Sequence, residues 1–421
     1  MKEYLERMRA RLVDFEAYAA CLSQPPYRGV RVNSLRLSAQ EFAKITPFSL
    51  SPVAWEPCGF YIEEEKPGKS VYHDAGLFYV QEPSAMCAAP LLEVRPGERV
   101  LDLCSAPGGK GTQLAQAMRG KGLLVLNEKM PDRARVLLQN VERMGICNAV
   151  VLCADPALLA ERFAGFFDKI LVDAPCSGEG MFRKEPAAVE NWSPALVTMC
   201  AERQKKILDS ARKMLAEGGR IVYSTCTFSE EEDEQNAEWF VRQDPSFRME
   251  AEKKIYPHRE RGEGHYAALF VREGAPAQKK KFRLPAADRR AVAAYRAFER
   301  DFLTSPLEGE FVSFGNSLSL VPEGLFPLDG LKVLRAGLHL GEYVGGRFEP
   351  SHALALGVAR DRLASVYSLG EEDALRYLRG EELPCDGGSG WGVAAADGWP
   401  LGLVKASSAL KNHYPKGLRR R

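Results

Sequence analysis

Two cysteines stand where covalent chemistry would be possible. Cys176 lies in the segment Asp-Ala-Pro-Cys-Ser-Gly that begins at Asp173, and Cys226 lies in Ser-Thr-Cys-Thr-Phe, which begins at Ser224. A thiolate adds to an electron-poor ring when its pKa is lowered and the substrate is held in place. A free cysteine is more often a small buried apolar side chain, so either one alone predicts a structural role. Their placement on two loops that face one predicted crevice favours the chemical interpretation.

A glycine-containing loop earlier in the chain indicates a bound ligand. Gly108 and Gly109 follow a predicted strand and begin a predicted helix, whose positive end favours anions and whose glycines allow close backbone approach. The loop is not a Walker A motif, because Cys104 stands where that motif needs glycine. It is not G-x-G-x-x-G either, which disfavours a nicotinamide-dependent enzyme. A glycine pair after a strand is also common as simple loop geometry.

Acidic residues follow the later predicted strands. Glu128 ends the second strand, Asp155 follows the third and Asp173 ends the fourth. Along the sequence, Glu128 follows the first strand at about the spacing where dinucleotide-binding folds carry the acid that binds ribose hydroxyls. Asp155 suits an adenine amino group. Each acid alone is explained as a solvated loop residue or a helix cap. Their joint placement favours a ligand with a nucleoside and a carboxylate but no pyrophosphate, such as S-adenosylmethionine.

The elements that must position these groups alternate between strands and helices. Near-continuous apolar runs predict strands at 99–104, 123–128, 149–153, 169–173, 220–224 and 266–271. A helix is predicted over 194–216 and ends at Gly218-Gly219. This alternation predicts an α/β fold, a doubly wound and mostly parallel sheet covered on both faces. In such a sheet the carboxyl ends of the strands carry the ligand site.

Four domains are expected along the chain. They are 1–75, a small α+β domain that opens with a helix over 3–22; 76–274, the doubly wound core; 284–330, which begins with a helix over 286–303; and 331–421, a β-rich module with many glycine turns. Residues 275–281 are small, polar and basic, and are predicted to be a linker.

The overall composition excludes several classes of protein. The chain has 421 residues, 45% of them hydrophobic and 27% charged, which excludes a disordered or fibrous protein. Its 57 basic and 56 acidic residues give a net charge of +1, which taken alone argues mildly against a nucleic-acid partner. The ten cysteines lack the spacing of a disulfide scaffold or a zinc site. With a charged N-terminus and no apolar run near the ~20 residues of a membrane span, we expect a cytoplasmic protein with no metal and no membrane partner.

Three motifs resemble the Sun/Fmu-type RNA cytosine-C5 methyltransferases. They are DLCSAPGGK at 102–110, DAPCSGEGMFRK at 173–184 and STCTFS at 224–229. The GEGMFRK variant and LKNHYPKG at 410–417 resemble one bacterial branch of that family, which acts on small-subunit ribosomal RNA. The resemblance covers most of the chain. It implies a doubly wound, Rossmann-like methyltransferase core with a small N-terminal α+β RNA-binding domain and a C-terminal PUA-like RNA-binding module.

The resemblance also implies roles for individual residues. Cys226 would add to C6 of cytosine, Cys176 would help to expel the enzyme from the product, Asp173 would bind the cytosine edge, and Lys110 would contact cofactor or substrate. The residues that match the family's S-adenosylmethionine positions are Cys104, Ser105, Ala106, Pro107, Gly108, Gly109, Lys110, Glu128, Asp155 and Asp173. The opposite assignment, with the roles of the two cysteines reversed, would apply if the nucleophile were the cysteine that follows a proline, as in some enzymes.

A cytosine must be unpaired or flipped to reach a thiolate in a crevice, so we expect phosphate contacts and aromatic stacking. The predicted RNA-binding residues are Arg31, Asn33, Arg183, Lys184, Lys411 and Lys416. The expected partner is 16S ribosomal RNA, free or within the 30S particle, bound by a monomer. The basic tail from Lys405 is equally explained as a solvated terminus. Ser229 and the three glutamates after it are predicted to form a capping box at a helix start.

Two other functions remain open on the sequence. The same chemistry on transfer RNA or another ribosomal site would use the same motifs. An RNA-binding or ribosome-assembly factor without catalysis would be expected to lack a cysteine or to have a broken glycine loop, and the sequence retains both features.

Overall fold

Four β-sheets organise the computed structural model, which describes residues 1–275, 282–385 and 387–420. The largest sheet has eight strands and forms the centre of the molecule. The other three belong to the N-terminal region and to the C-terminal half of the chain.

The N-terminal region combines helices with a four-stranded antiparallel sheet of order β2-β3-β1-β4. Its elements are α1 (Lys2–Arg11), α2 (Phe15–Cys21), β1 (Gly29–Val32), α3 (Ala39–Ile45), β2 (Ser51–Val53), β3 (Glu56–Tyr61), α4 (Val71–Asp74) and β4 (Phe78–Val80). The single helix predicted over 3–22 is therefore wrong, because the first helix ends at Arg11 and a second one begins at Phe15. The Asp14 carboxylate accepts hydrogen bonds from the Arg259 guanidinium at 2.7 and 2.8 Å, a contact that no local pattern encodes.

The core sheet follows. Its helices and strands are α5 (Ala88–Leu91), β5 (Arg99–Asp102), α6 (Gly109–Met118), β6 (Leu123–Asn127), α7 (Pro131–Arg143), β7 (Ala149–Leu152), α8 (Pro156–Arg162), β8 (Phe167–Asp173), α9 (Pro186–Asn191), α10 (Pro194–Met214), β9 (Leu215–Thr225), α11 (Glu234–Gln243), β10 (Phe247–Ile255) and β11 (His265–Arg272). The strand order is β10-β11-β9-β8-β5-β6-β7. The five strands from β9 to β7 are parallel, while β10 and β11 are antiparallel. The predicted doubly wound sheet is confirmed.

Burial on both faces explains the apolar runs of the core strands. In β5, Val100 packs into the core that contains Leu114, while Leu101 packs into the opposite core with Leu159. All four of these side chains are almost fully buried. Each such burial contributes about 1.5–3 kcal/mol, so a parallel strand covered on both sides needs apolar residues at every position.

The C-terminal half first adds a four-stranded sheet of order β12-β13-β15-β16 and then completes the core sheet. Its elements are α12 (Arg289–Phe302), β12 (Glu310–Phe314), β13 (Ser317–Val321), β14 (Val333–Ala336), β15 (Leu338–Val344), β16 (Arg347–Pro350) and α13 (His352–Gly357). This sheet crosses the boundary expected between residues 330 and 331. Strand β14 pairs antiparallel with β7 and becomes the eighth strand of the core sheet.

The last sheet packs against the N-terminal region. Its elements are β17 (Val366–Leu369), α14 (Glu371–Arg379), β18 (Leu383–Pro384), β19 (Gly390–Ala396), β20 (Trp399–Ala406) and β21 (Ala409–Asn412), in the order β17-β19-β20-β21-β18. One apolar core joins Leu401 of β20 and Tyr377 of α14 to Val30 and Phe78 of the N-terminal sheet. The N-terminal sheet and the last sheet therefore share one core.

Three observations bear on the remaining sequence predictions. All ten cysteines are free thiols. In the described part of the chain, no helix has the length and apolar character needed to cross a membrane. Apart from Ala275, the predicted linker at 275–281 lies outside the described residues.

Candidate functional site

The parallel strands place the predicted site residues along one edge of the core sheet. From β5 the chain winds outward to β6 and β7 on one side, and it then returns to β8 and β9 on the other. In a sheet of this kind ligands bind where the winding reverses, which here is between β5 and β8. The groups at or just beyond the strand ends are the loop 103–108, Glu128, Asp155, Asp173 and Cys226.

The glycine loop after β5 is held by buried polar contacts. Gly108 has a φ of 112°, a left-handed conformation that favours glycine. Asp102 accepts a hydrogen bond from the Ser105 hydroxyl at 2.8 Å. A Cβ at Gly111, one turn into α6, would lie 2.6 Å from the Ser105 Oγ. The loop therefore presents backbone rather than side chains at the start of α6.

Asp102 lies at the bottom of this loop and is fully buried. Burial raises the pKa of its carboxyl group to about 7, although the hydrogen bond from Ser105 acts in the opposite direction. Among the described residues, its Oδ1 atom has no hydrogen-bond partner. An unpartnered buried acceptor below a glycine loop fits a ligand whose polar groups reach the loop.

Glu128 and Asp155 differ in their surroundings. Glu128 is buried and accepts a hydrogen bond from the Met130 amide at 2.8 Å, with the Arg133 guanidinium 3.5 Å away. Asp155 is half exposed and caps α8 by accepting from the Ala157 amide at 2.9 Å. Its ion pair with Lys129 lowers the pKa of Asp155. The buried Glu128 carboxylate is the better placed of the two to bind ribose hydroxyls.

The two cysteines meet across the loops that follow β8 and β9. Their Sγ atoms lie 2.9 Å apart, and the Cys226 amide donates to the Cys176 Sγ at 3.3 Å. The contact with the Cys226 thiol, followed by burial, raises the pKa of Cys176 well above its ordinary value. Cys176 is thus held as a protonated thiol beside its neighbour.

A buried ion pair lies at the end of β8. The Lys110 Nζ lies 2.8 Å from the Asp173 Oδ2, and the Ser224 hydroxyl donates to the Oδ1 at 2.8 Å. Burial alone would raise the pKa of Asp173, but the charge and hydrogen bond of Lys110, together with the hydrogen bond from Ser224, outweigh burial and lower it. Lys110 is likewise buried, and Asp173 raises its pKa. Asp173 is therefore a carboxylate that can accept hydrogen bonds from a substrate.

His265 was missed by the sequence prediction. It begins β11, and its Nε2 lies 4.0 Å from the Asp173 Oδ1. Burial and Lys110 lower its pKa to about 3, so the ring is neutral. Within the described residues neither ring nitrogen has a hydrogen-bond partner. Only its position directly before the predicted closing strand at 266–271 would have indicated it.

Glu179, also missed, joins the two cysteine-bearing loops. This fully buried side chain accepts hydrogen bonds from the Phe228 amide at 3.0 Å, the Ser229 hydroxyl at 2.7 Å and the Trp192 indole at 2.8 Å. The Gly180 amide also donates to the Cys226 carbonyl at 2.9 Å. The loops therefore form one hydrogen-bonded unit. The available signal was an acid between two glycines directly after the cysteine motif.

The predicted capping box at Ser229 is wrong. Helix α11 begins later, at Glu234, and no side chain caps it. The Ser229 hydroxyl is used by Glu179, while Glu232 accepts from the Ser177 amide at 3.0 Å and from Gln204 at 2.7 Å. Glu232 thus supports the Cys176 loop from the opposite side.

The structure places three of the predicted RNA-binding residues inside the protein. Arg31 is fully buried and donates to the Thr112 hydroxyl at 2.6 Å. Asn33 is fully buried and donates to the Gly76 and Met144 carbonyls at 2.8 and 3.0 Å.

The Arg183 side chain is 3% exposed and forms a two-point ion pair with Glu263 at 2.8 and 2.9 Å. We correct the expected role of Arg31, Asn33 and Arg183 from RNA contact to internal structure. Lys184 is half buried, whereas Lys411 and Lys416 are exposed.

Four family models match consecutive parts of the chain. A model for the 16S rRNA methyltransferase RsmB/F matches residues 89–271, and one for the N-terminal domain of 16S rRNA methyltransferase RsmF matches 1–83. Models for the RsmF rRNA methyltransferase first C-terminal domain and the methyltransferase RsmF PUA domain match 297–358 and 364–420.

Curated proteins and solved structures are also similar. The ribosomal RNA small subunit methyltransferase F of Enterobacter sp. (strain 638) is 32% identical, over 99% of this chain and 95% of that protein. The protein of the same name from Shewanella oneidensis is 31% identical, over 98% and 95%.

A methyltransferase homologue from Pyrococcus horikoshii is 27% identical with a TM-score of 0.55, over 62% of this chain and 91% of that one. NSun6 from the same organism, solved with SFG, has a TM-score of 0.58 at 20% identity and shares the fold, over 65% and 97%.

Proposed function

This chain belongs to the ribosomal RNA small subunit methyltransferase F family, and on that premise we propose that it methylates C5 of a cytosine in 16S ribosomal RNA through a covalent cysteine adduct. The observation that carries the proposal is the pair of thiols 2.9 Å apart, next to a carboxylate–lysine pair at the ligand edge of the sheet.

S-adenosylmethionine, when bound, supplies the methyl group. We assign it to the backbone of residues 104–110, to Glu128 and Asp155 at the next two strand ends, and to Asp173. The loop at Gly108 offers amide groups at the start of α6, which suits a carboxylate. The buried carboxylate of Glu128 suits ribose hydroxyls. The amides of the glycine loop and the acid at the end of the next strand thus match the two polar ends of this cofactor.

Cys226 is the proposed nucleophile. Its thiolate Sγ adds to C6 of cytosine, which places an electron pair on C5 that accepts the methyl group. The C5 proton then passes to a neighbouring base, the electron pair of the C5–H bond re-forms the C5=C6 double bond, and the bond between C6 and Cys226 breaks with its electrons returning to the Cys226 Sγ. We assign that base to Cys176, whose Sγ lies 2.9 Å from the Cys226 Sγ and which first gives its own proton to solvent.

Asp173 and Lys110 position the base. The Asp173 carboxylate accepts from the exocyclic amino group of cytosine, a donor that uracil lacks. Lys110 holds that carboxylate in place at 2.8 Å. The neutral ring of His265 contributes a second polar contact at the same edge.

The test uses purified protein, 16S ribosomal RNA without methylated cytosines and labelled S-adenosylmethionine. We expect Cys226→Ser to abolish methyl transfer, because serine is a far weaker nucleophile. We expect Cys176→Ser to accumulate a protein–RNA adduct that survives a denaturing gel. Cys385→Ser, which changes a thiol in the last sheet, is the matched control and should behave as the unmodified protein does.

Each outcome is decisive. An adduct in Cys226→Ser, and none in Cys176→Ser, would exchange the two roles. Full transfer by both variants would refute covalent catalysis. Mass spectrometry of the modified nucleoside would refute the proposal if the methyl group were on any atom other than C5 of cytosine.

A further inference from the structure

The loops that carry the two thiols of the candidate site are tied together on both sides of the cysteines. Before the cysteines, Asp173 of β8 lies opposite Ser224 of β9, and the Ala174 amide donates to the Ser224 carbonyl at 2.9 Å. Directly after them, the Ser177 and Thr227 hydroxyls form a hydrogen bond of 2.8 Å. The contact of the two Sγ atoms at 2.9 Å is therefore built into the loops.

This contact is close to the geometry of a covalent bond. The sulfur atoms of a disulfide lie about 2.05 Å apart, so the Sγ atoms of Cys176 and Cys226 need to approach each other by only about 0.9 Å. Both residues are half-buried, so part of their surface is open to a small oxidant.

Other cysteines have different surroundings. The Cys147 thiol donates to the Gly357 carbonyl at 3.2 Å. Four further thiols are buried, those of Cys21, Cys87, Cys153 and Cys200. Contact between two thiols and access from solvent thus coincide at Cys176 and Cys226.

We propose that this pair is a reversible oxidation site, at which a hydroperoxide joins Cys176 and Cys226 in an intramolecular disulfide. Oxidation-sensitive cysteines are commonly solvent-accessible and lie next to a second thiol that resolves the first oxidation product. The effect on activity rests on the proposed function. Because the disulfide occupies the proposed nucleophile, methyl transfer stops until a thiol reductant reopens the bond by exchange.

The oxidation by hydrogen peroxide proceeds in two steps. The contact with the Cys226 thiol raises the pKa of Cys176, so Cys226 is the thiol that ionises and reacts first. Its Sγ attacks one peroxide oxygen, so that an S–O bond forms and the O–O bond breaks. The hydroxide that leaves takes up the proton that Cys226 released. The Cys176 Sγ then attacks the sulfenic sulfur, forming the S–S bond and breaking the S–O bond. The Cys176 proton leaves with the hydroxyl group as water, and two electrons have passed from sulfur to peroxide.

The test treats the reduced full-length protein with hydrogen peroxide and then removes the peroxide with catalase. We expect the number of free thiols to fall by two from ten, and the protein mass to fall by two hydrogen atoms. Peptide mapping should show Cys176 linked to Cys226. Methyl transfer should be lost, and dithiothreitol should restore both the thiols and the activity.

Two variants make the test specific. Cys58→Ser removes another half-buried thiol, in β3, and should form the same disulfide. Cys176→Ser removes the resolving thiol, so Cys226 should be oxidised past sulfenic acid to sulfinic acid, which dithiothreitol does not reduce.

Sulfinic acid on Cys226 of the unmodified protein, a disulfide between other cysteines, or no loss of thiols would overturn the proposal. A loss of methyl transfer that dithiothreitol does not reverse would overturn it as well. The linkage is read without activity, so a protein that forms it but transfers no methyl group when reduced would support this proposal and refute the proposed function alone.

Discussion

Replacing Glu179 by glutamine tests whether one buried carboxyl group holds the two cysteine-bearing loops together. The side chain accepts from the Phe228 amide, the Ser229 hydroxyl and the Trp192 indole, and it donates to none of them. Glutamine has nearly the same shape, but one of its two polar atoms is a donor. In either orientation of the amide, one of the two N–H groups, from Phe228 or Trp192, faces another donor.

The size of the effect follows from this count. A buried donor left without an acceptor costs about 1–3 kcal/mol, which is our expected loss of unfolding free energy for Glu179→Gln. Glu179→Ala leaves three donors without an acceptor and should lose about 3–5 kcal/mol. A displacement of reacting groups by about 1 Å can cost a hundredfold in rate, so turnover of Glu179→Gln should fall about 10- to 100-fold.

Three measurements check this prediction. Urea unfolding gives the stability, and methyl transfer at saturating RNA should show a lower kcat with a nearly unchanged KM, because Glu179 is fully buried and cannot touch RNA. The double variant Cys176→Ser/Glu179→Gln should form the covalent adduct more slowly than Cys176→Ser alone. Glu190→Gln, an exposed acid on α9, is the control. Unchanged stability and unchanged turnover in Glu179→Gln would refute the reasoning.

Two further predictions concern buried charges. Burial raises the pKa of the Glu232 carboxyl to about 7 from its ordinary 4.5. Between these two pH values the folded state holds a proton that the unfolded state releases. The stability gained from the protonated carboxyl is therefore complete below pH 4.5 and is lost as the pH rises through 7. Glutamine mimics the protonated carboxyl and does not titrate. The unfolding free energy of Glu232→Gln, measured with urea, should therefore rise by about 3 kcal/mol relative to that of the unmodified protein as the pH goes from 5 to 8. Parallel pH profiles for the two proteins would contradict this. Arg183→Met leaves Glu263 buried without its cation and should lower the unfolding free energy by about 3–5 kcal/mol, with no change in the salt dependence of RNA binding. If the salt dependence of RNA binding decreased while the unfolding free energy stayed the same, Arg183 would be an RNA contact after all.

The core sheet could be predicted because its signal is local. Every strand of a parallel sheet covered on both faces must be apolar along its length, and runs such as 149–153 show this directly. The rule that ligands bind at the carboxyl ends of the strands then points to residues such as Asp173 and Cys226. Their roles stay predictions until the variants are measured.

The remainder depended on contacts between distant segments. Arg183 is of a residue type that often contacts RNA, but it forms a buried ion pair with Glu263, which comes 80 positions later in the sequence. Ser229 and Glu232 have the spacing of a capping box, but their side chains form hydrogen bonds with Glu179 and Gln204 instead. Residue type and spacing do not encode burial, so these positions could not be resolved from the sequence.

Strand β14 makes completion of the core sheet depend on the order of synthesis. During translation β7 leaves the ribosome long before Val333, so its outer edge has no native partner until the C-terminal half emerges. An open strand edge is a template for pairing with other chains. A fragment that ends before β14 would keep this edge open, and we expect such a fragment to aggregate rather than to fold as an isolated catalytic domain.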